Sequence, residues 1–300
     1  MKYVVGIDSG GTATKVKAYT LDQTCCFEQV VGPGNSLLFP EETIVELSYA
    51  LRLVYEALGP DCEGIAIGLA GLSAANNQQE MTTRIKQAMP FTSEIPFHLY
   101  NDAQLAYLAR NGVAAGILVI AGTGSVVVGY QNGQWSKIGG WGPVLGDEGS
   151  GYALSLQVYR ELTKTIDRQT ELNDWQRAFL EWSHQDSAQE AIRTFYQSER
   201  QEIAKAARFL GEYQDRFTYC HEVLCQAGEA LADMINQWGT LNWTTSRKLN
   251  CAFNGSVVEK NPIVQQSLIN HCRYPLKIAT QHPSPFAAWR LFYEQEGEQS

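Results

Sequence analysis

The chain has 300 residues, 44% of them hydrophobic and 18% charged, enough to bury a large core and to form two compact domains. With 23 basic against 32 acidic residues the formal net charge is -9. That balance argues against broad binding to a nucleic-acid backbone or an acidic membrane surface, while a small phosphate-bearing ligand needs only a local cradle.

The opening MKYVVGIDSGG runs into a strand and a glycine turn, without a charged leader, long apolar stretch and cleavage site in series. No window reaches the roughly 18 consecutive apolar residues of a membrane span. A cytoplasmic protein is therefore expected. Tyr3 to Ile7 is a β-branched run, and Thr14 to Leu21 with Cys25 to Val31 adds two alternating segments, so the chain should begin as an antiparallel meander. Glu41 to Leu58 places Ile44, Leu47, Leu51, Val54, Tyr55 and Leu58 on one helical stripe. Gly64 to Leu69 reads as a strand, Thr82 to Met89 as a short helix and Pro96 to Tyr100 as another strand.

A second domain is expected from residue 113, giving 1–112 and 113–300. Ile117 to Ile120 and Val126 to Tyr130 are paired strands, with a turn at Gln131-Asn132-Gly133, and the strand–glycine–strand theme of the N-terminus returns. From about 154 to 247 the pattern is helical, an insert in the second domain. Leu249 to Phe253 is a strand, Pro262 to Cys272 a helix, Leu276 to Thr280 a last strand, and 285–294 a closing helix that could return to the first domain. The seven cysteines lack paired C-x-x-C spacing for zinc or an iron–sulfur cluster and are read as reduced and structural.

Three glycine turns follow three strands. In DSGGTATK, Gly10 and Gly11 let backbone N–H groups approach an anion, Ser9, Thr12 and Thr14 bring hydroxyls, and Lys15 closes the segment. Asp8, where the apolar strand stops, suits the water shell of a magnesium ion carried by ATP. An ordinary hairpin would read the same way. AGTGS offers Gly122, Thr123 and Gly124 as a second phosphate-type loop, and Asn254-Gly255-Ser256 a place for adenosine or a plain strand-to-helix turn. Neither G-x-x-x-x-G-K-[ST] nor G-x-G-x-x-G is present in the N-terminal loop. In FHLYNDAQ, a strand delivers Asn101 and Asp102 to the first turn of a helix, so Asp102 is either a catalytic base or a helix cap.

Turns ordered phosphate, phosphate, adenosine resemble the actin, Hsp70 and sugar-kinase superfamily, and the resemblance tightens at GGWGPVLGDEGSGY (Gly139 to Tyr152). That segment is similar to the motif beside the cleft of N-acetylglucosamine kinases and of the related benzoyl-CoA reductase activase ATPases. The resemblance implies an α/β protein of two actin-like (ribonuclease H-like) domains, each with a mixed sheet. It implies ATP and Mg²⁺ as cofactors, a sugar substrate bound between the domains, and a homodimer as a plausible assembly. Position by position it puts Thr12 and Thr123 on phosphate, Gly255 on adenosine, and Asn35, Asp102, Gly140, Trp141, Gly142 and Asp147 on the sugar, with Asp102 as the base that takes the hydroxyl proton. Ser256 goes with the nucleotide, and Glu148 is left open. Animal N-acetylglucosamine kinases carry Asn after the G-T-G-S loop where this chain has Val126, which leaves glucosamine, N-acetylmuramate and other hexoses as acceptors beside N-acetylglucosamine. An activating ATPase would need a cluster-binding cysteine, usually in a Gly-Cys segment, and no cysteine here is flanked by glycine. A non-catalytic sugar sensor would have no use for Asp102.

Overall fold

The computed structural model describes residues 1–294, and they form two units: Met1–Ala115 together with the segment from Ala279 onward, and Gly116–Ile278.

In the first unit the strands are β1 (Tyr3–Ser9), β2 (Thr14–Tyr19), β3 (Cys25–Val31), β4 (Cys62–Leu69) and β5 (Phe97–Asn101), ordered β3-β2-β1-β4-β5. The meander β1–β3 is antiparallel, whereas β4 and β5 run parallel to β1. Tyr3, Val5, Ile7, Ile65 and Ile67 pack with Leu47, Leu51 and Val54 of the helix Pro40–Leu58 and with Met81 of the helix Gln78–Ala88. That second helix begins four residues before the expected Thr82, because its first turn is polar and exposed and carries no apolar period.

In the second unit β6 (Gly116–Ala121), β7 (Ser125–Gln131) and β8 (Gln134–Gly139) form an antiparallel meander, and β9 (Leu249–Asn254) and β10 (Leu276–Ile278) extend it in parallel, in the order β10-β9-β6-β7-β8. Each sheet is thus mixed and each is a three-stranded meander with two parallel strands beside its first strand. Between β8 and β9 lie the helices Gly151–Arg168, Asp174–Trp182, Ala188–Gln197, Arg200–Ala204, Ala207–Glu212 and Thr218–Asn242. Their apolar faces close on Ile117, Val119 and Val127 of the sheet through Val158, Phe179, Phe209, Leu231 and Trp238.

After Ile278 the chain leaves the second unit and returns to the first. The cause is packing. A Cβ on Gly6 would lie 1.8 Å from the Pro285 carbonyl oxygen, and one on Gly64 would lie 2.6 Å from the Phe292 ring, so these two glycines make the seat on which the tail lies. Arg290 Nε also donates to the Ala109 carbonyl at 3.0 Å. The closing helix is shorter than 285–294: a 3₁₀ turn over Ser284–Phe286 precedes the helix Ala287–Phe292. Among the described residues no helix is long and apolar enough to cross a membrane.

Candidate active site

In the first unit the site is built at the C-terminal edge of the parallel strands, where open α/β sheets bind ligands. The register Asp8↔Gly68↔Tyr100 sets the ends of β1, β4 and β5 level, so Asp8 and the Asn101-Asp102 pair emerge at one edge. Gly68 makes the fit possible, because a Cβ there would come within 2.6 Å of Leu105 and push away the helix Asp102–Asn111.

The cap of that helix is Asn101. Its side chain accepts from Gln104 N at 2.7 Å, and Gln104 Oε1 accepts from Asn101 N at 3.1 Å, a complete capping box. Asp102 therefore occupies the first helical position, exposed, with Oδ1 accepting from Ala103 N at 2.9 Å. Asp8 is half-buried, and burial pushes its carboxyl above the ordinary carboxylate value, with the Asp102 charge adding to the rise. The Ser284 hydroxyl, Lys15 and Arg110 oppose that shift.

Of the three hydroxyls in the first glycine turn only Thr12 is exposed. Ser9 and Thr14 are buried and hydrogen-bond each other at 2.9 Å, holding the two strands together. Gly10 N donates to Ala13 O at 3.1 Å, and a side chain on Gly11 would meet nothing within 4 Å, so the fold does not itself demand the second glycine. The turn is joined to the Asn35 loop by Gly34 N to Gly10 O at 2.9 Å. Asn35 Oδ1 accepts from Leu37 N at 2.9 Å and Leu38 N at 3.1 Å, which spends its acceptor on the turn and leaves its amide N–H groups to offer a ligand. Two residues that motif reading missed complete this edge: Gly71, where a Cβ would lie 2.3 Å from Asn35 Oδ1, and Ser73, whose hydroxyl accepts from Asn101 Nδ2 at 2.8 Å. Their only sequence signal was an ordinary AGLS turn.

In the second unit the register Ile120↔Asn254 lays the Gly122–Gly124 turn beside Gly255. Gly255 has φ +101°, and a Cβ there would lie 2.5 Å from the Ala121 carbonyl oxygen, so only glycine fits. Around these turns is a cavity of about 580 Å³, within the range of small-molecule sites, whose lining includes Gly122, Thr123, Gly151 and Ser256. The other wall comes from the helical insert and the helix after β9. Lys205, Arg208 and Lys260 line it beside the carboxylate of Glu212, with Lys205 ion-paired to the neighbouring Glu202, and these basic side chains suit a polyanion. None of these wall residues carried a sequence signal, because they lie about 80 residues or more after the turn they face.

The GGWGPVLGDEGS loop carries Gly140 and Gly142 in left-handed conformations, at φ +69° and +90°. Trp141 is 67% exposed, with Lys137 Nζ 4.4 Å from its ring centroid. Val126 lies under Gly140, where a Cβ would approach it to 3.0 Å, so the position at which animal kinases carry Asn does touch this loop. Asp147, which the family resemblance puts on the sugar, is held by two protein partners. It is 3% exposed, Oδ1 accepts from Ser125 N at 3.3 Å, and Oδ2 pairs with the Arg200 guanidinium. The exposed carboxylate of the loop is Glu148. Arg200 Nε is buried without a partner, an orphan donor of the kind that costs about 1–3 kcal/mol unless a ligand satisfies it. Among the described residues no group of three or more His, Cys, Asp or Glu is assembled for a metal.

The family model described as the BadF/BadG/BcrA/BcrD ATPase family matches residues 5–266. An N-acetylmuramic acid/N-acetylglucosamine kinase of Clostridium acetobutylicum is 32% identical over 218 residues, covering 69% of each chain. An N-acetyl-D-glucosamine kinase of Dictyostelium discoideum is 25% identical over 285 residues, covering 88% of each. In fold, a Chromobacterium violaceum protein assigned as an N-acetylglucosamine kinase superposes with a TM-score of 0.72 at 22% identity, over 96% of this chain and 98% of that one.

Proposed function

The chain belongs to the BadF/BadG/BcrA/BcrD ATPase family, and from that premise we propose that it is an ATP-dependent kinase acting on a hydroxyl, the 6-OH, of an amino sugar. N-acetylglucosamine is the first acceptor to consider, with glucosamine and N-acetylmuramate beside it, in line with the names of its kinase relatives. Val126, apolar and set against Gly140, makes recognition of the N-acetyl group different from that of the Asn-bearing animal kinases.

The nucleotide fits the second unit: glycine turns at two adjacent strand ends, a cavity of adequate size and three cationic side chains on its wall. Magnesium fits Asp8, since the ion takes one or two protein carboxylates and keeps its waters, and a cation there would relieve the burial that opposes the charge of Asp8. Bound MgATP supplies the phosphoryl group and a counter-charge for it. The rest is done by this chain's own groups. Asp102 accepts the proton of the attacking hydroxyl, the Asn35 amide orients the ring, and Thr12 and Thr123 donate to phosphate oxygens.

One observation carries the reading: because Asn101 performs the capping, Asp102 is left exposed at a strand end beside Asp8, with no structural task that requires a carboxylate. Asp102→Asn keeps size and polarity but removes the base. Its turnover should fall by about 10²–10⁴-fold while calorimetric affinities for ADP and sugar stay close to wild type. A variant retaining most of its rate would make Asp102 a bystander. The alternative, an ATPase that activates a partner enzyme, draws on the family description and predicts ADP release that is indifferent to sugar.

A further inference from the structure

We propose that Arg200, acting through Asp147, is a positioning residue that holds the Gly122–Gly124 turn in its nucleotide-binding shape, so that the helical insert governs nucleotide affinity in the second unit. The inference rests on the nucleotide reading of that turn.

Asp147 is a carboxylate almost wholly removed from water and held at φ +65°, a left-handed conformation uncommon for a residue with a side chain. Such a residue persists only where its surroundings fix it, and a buried charge persists only where it is paired. Both conditions are met by two partners on opposite sides. Ser125 N, the first donor after the glycine turn, donates a hydrogen bond to Oδ1 at 3.3 Å, and the Arg200 guanidinium engages Oδ2. Gly124 explains why the turn needs its last glycine: a Cβ there would sit 2.6 Å from Arg200 Nη2 and 3.0 Å from Asp147 Oδ2. The ion pair fills the volume a side chain would take.

The contacts continue into the cavity wall. Arg200 opens the helix Arg200–Ala204, whose next residue Gln201 and whose last, Ala204, line the cavity together with Lys205. The Tyr152 ring lies 5.8 Å from the Arg200 guanidinium carbon, and Tyr152 N donates to the Thr123 carbonyl at 3.3 Å. Gly151 N donates to the Gly122 carbonyl at 2.7 Å. The turn is thereby fixed through Gly122 and Thr123 by the first turn of the helix Gly151–Arg168, and through Ser125 by Asp147, the support that Arg200 holds. Preorganised backbone donors bind an anion well only when their direction is set in advance, so loosening this support should weaken nucleotide binding before any sugar is present.

Titration calorimetry with ADP, without sugar, tests this on the full-length protein and on Arg200→Ala, Arg200→Lys, Asp147→Asn and the Asp147→Asn/Arg200→Ala double variant. Asn at 147 can still accept from Ser125 N and leaves no unpaired buried charge, so that variant is the one best suited to fold, which a melting curve checks. Each of Arg200→Ala and Asp147→Asn should weaken ADP binding by about tenfold, and the double variant should be no worse than the weaker single one, as for two residues acting as one unit. Arg200→Lys should recover part of the loss. ADP affinity within twofold of wild type in folded Asp147→Asn and Arg200→Ala, with only the sugar KM raised, overturns the proposal and returns Asp147 to the sugar site. Failure of the wild-type protein itself to bind ADP overturns the nucleotide reading, and the proposal with it.

Discussion

Asp8 and Asp102 end strands separated by β4, yet they meet different surroundings, and the difference divides their tasks. Burial raises the Asp8 carboxyl above its ordinary value of 3.8. The folded chain thus binds a proton at Asp8 more readily than the unfolded chain. The stability tied to this group is complete below the ordinary value and is lost as pH rises through the elevated one, because burial penalises the charged form. Asp8→Asn should melt higher than wild type near pH 7 and lose the part of the pH dependence that lies just above pH 3.8, while magnesium-dependent turnover falls by about 10²-fold or more. Thermal melts from pH 3 to 7 beside a kinase assay check both halves, and a variant that is both less stable and fully active contradicts the assignment. At this scale the sequence was informative where a polar residue interrupts an apolar strand, as at Asp8 and Asp102. It singled out Asp147 through the GGWGPVLGDEGS motif but was silent on Arg200 and on the burial of Asp147, because that burial depends on a guanidinium 53 residues away.

The helix Asp102–Asn111 illustrates how an element serves the chemistry. Asn101 and Gln104 close a reciprocal cap, and the amide of Asn101 also reaches Ser73, so one residue ties the strand end, the helix start and the neighbouring loop. Asn101→Ala should cost about 1 kcal/mol of stability through the lost cap and lower kcat more than it raises the sugar KM, because Asp102 loses its fixed direction. Denaturant melts and steady-state kinetics on one preparation decide this; unchanged kcat would separate the cap from the base. Elements with a long apolar period were legible, as in Pro40–Leu58, where Leu47, Leu51 and Val54 are buried on the expected stripe. The four-residue helix Leu72–Ala75 was not, since it is too short to display a period.

For the whole chain, the repeated antiparallel meander was legible in glycine turns after apolar strands, a local signal that recurs in both units, whereas the parallel strands beside each meander were implied only by the family resemblance. The return of the tail to the first unit was open in the sequence, because it depends on Gly6 meeting Pro285, a contact that no local pattern announces. Gly6→Ala must displace that segment and should destabilise the fold by about 1–3 kcal/mol, the usual cost of overpacking. A denaturation midpoint equal to wild type would show that the tail is not seated on β1. The same distinction governs the candidate site: the glycine turns and Asp102 are readable one by one, but the basic wall of the second unit's cavity needs the insert folded against it.

The central claim is that a nucleotide held by these turns phosphorylates an amino sugar. Its most direct test is ADP release by the purified protein with MgATP and, in separate reactions, N-acetylglucosamine, glucosamine, N-acetylmuramate, glucose or no sugar. Release that is strongly sugar-dependent, greatest with one of the three amino sugars and matched by an equal amount of sugar phosphate, is the expected result. Equal release with and without sugar, or none with any of them, would contradict it.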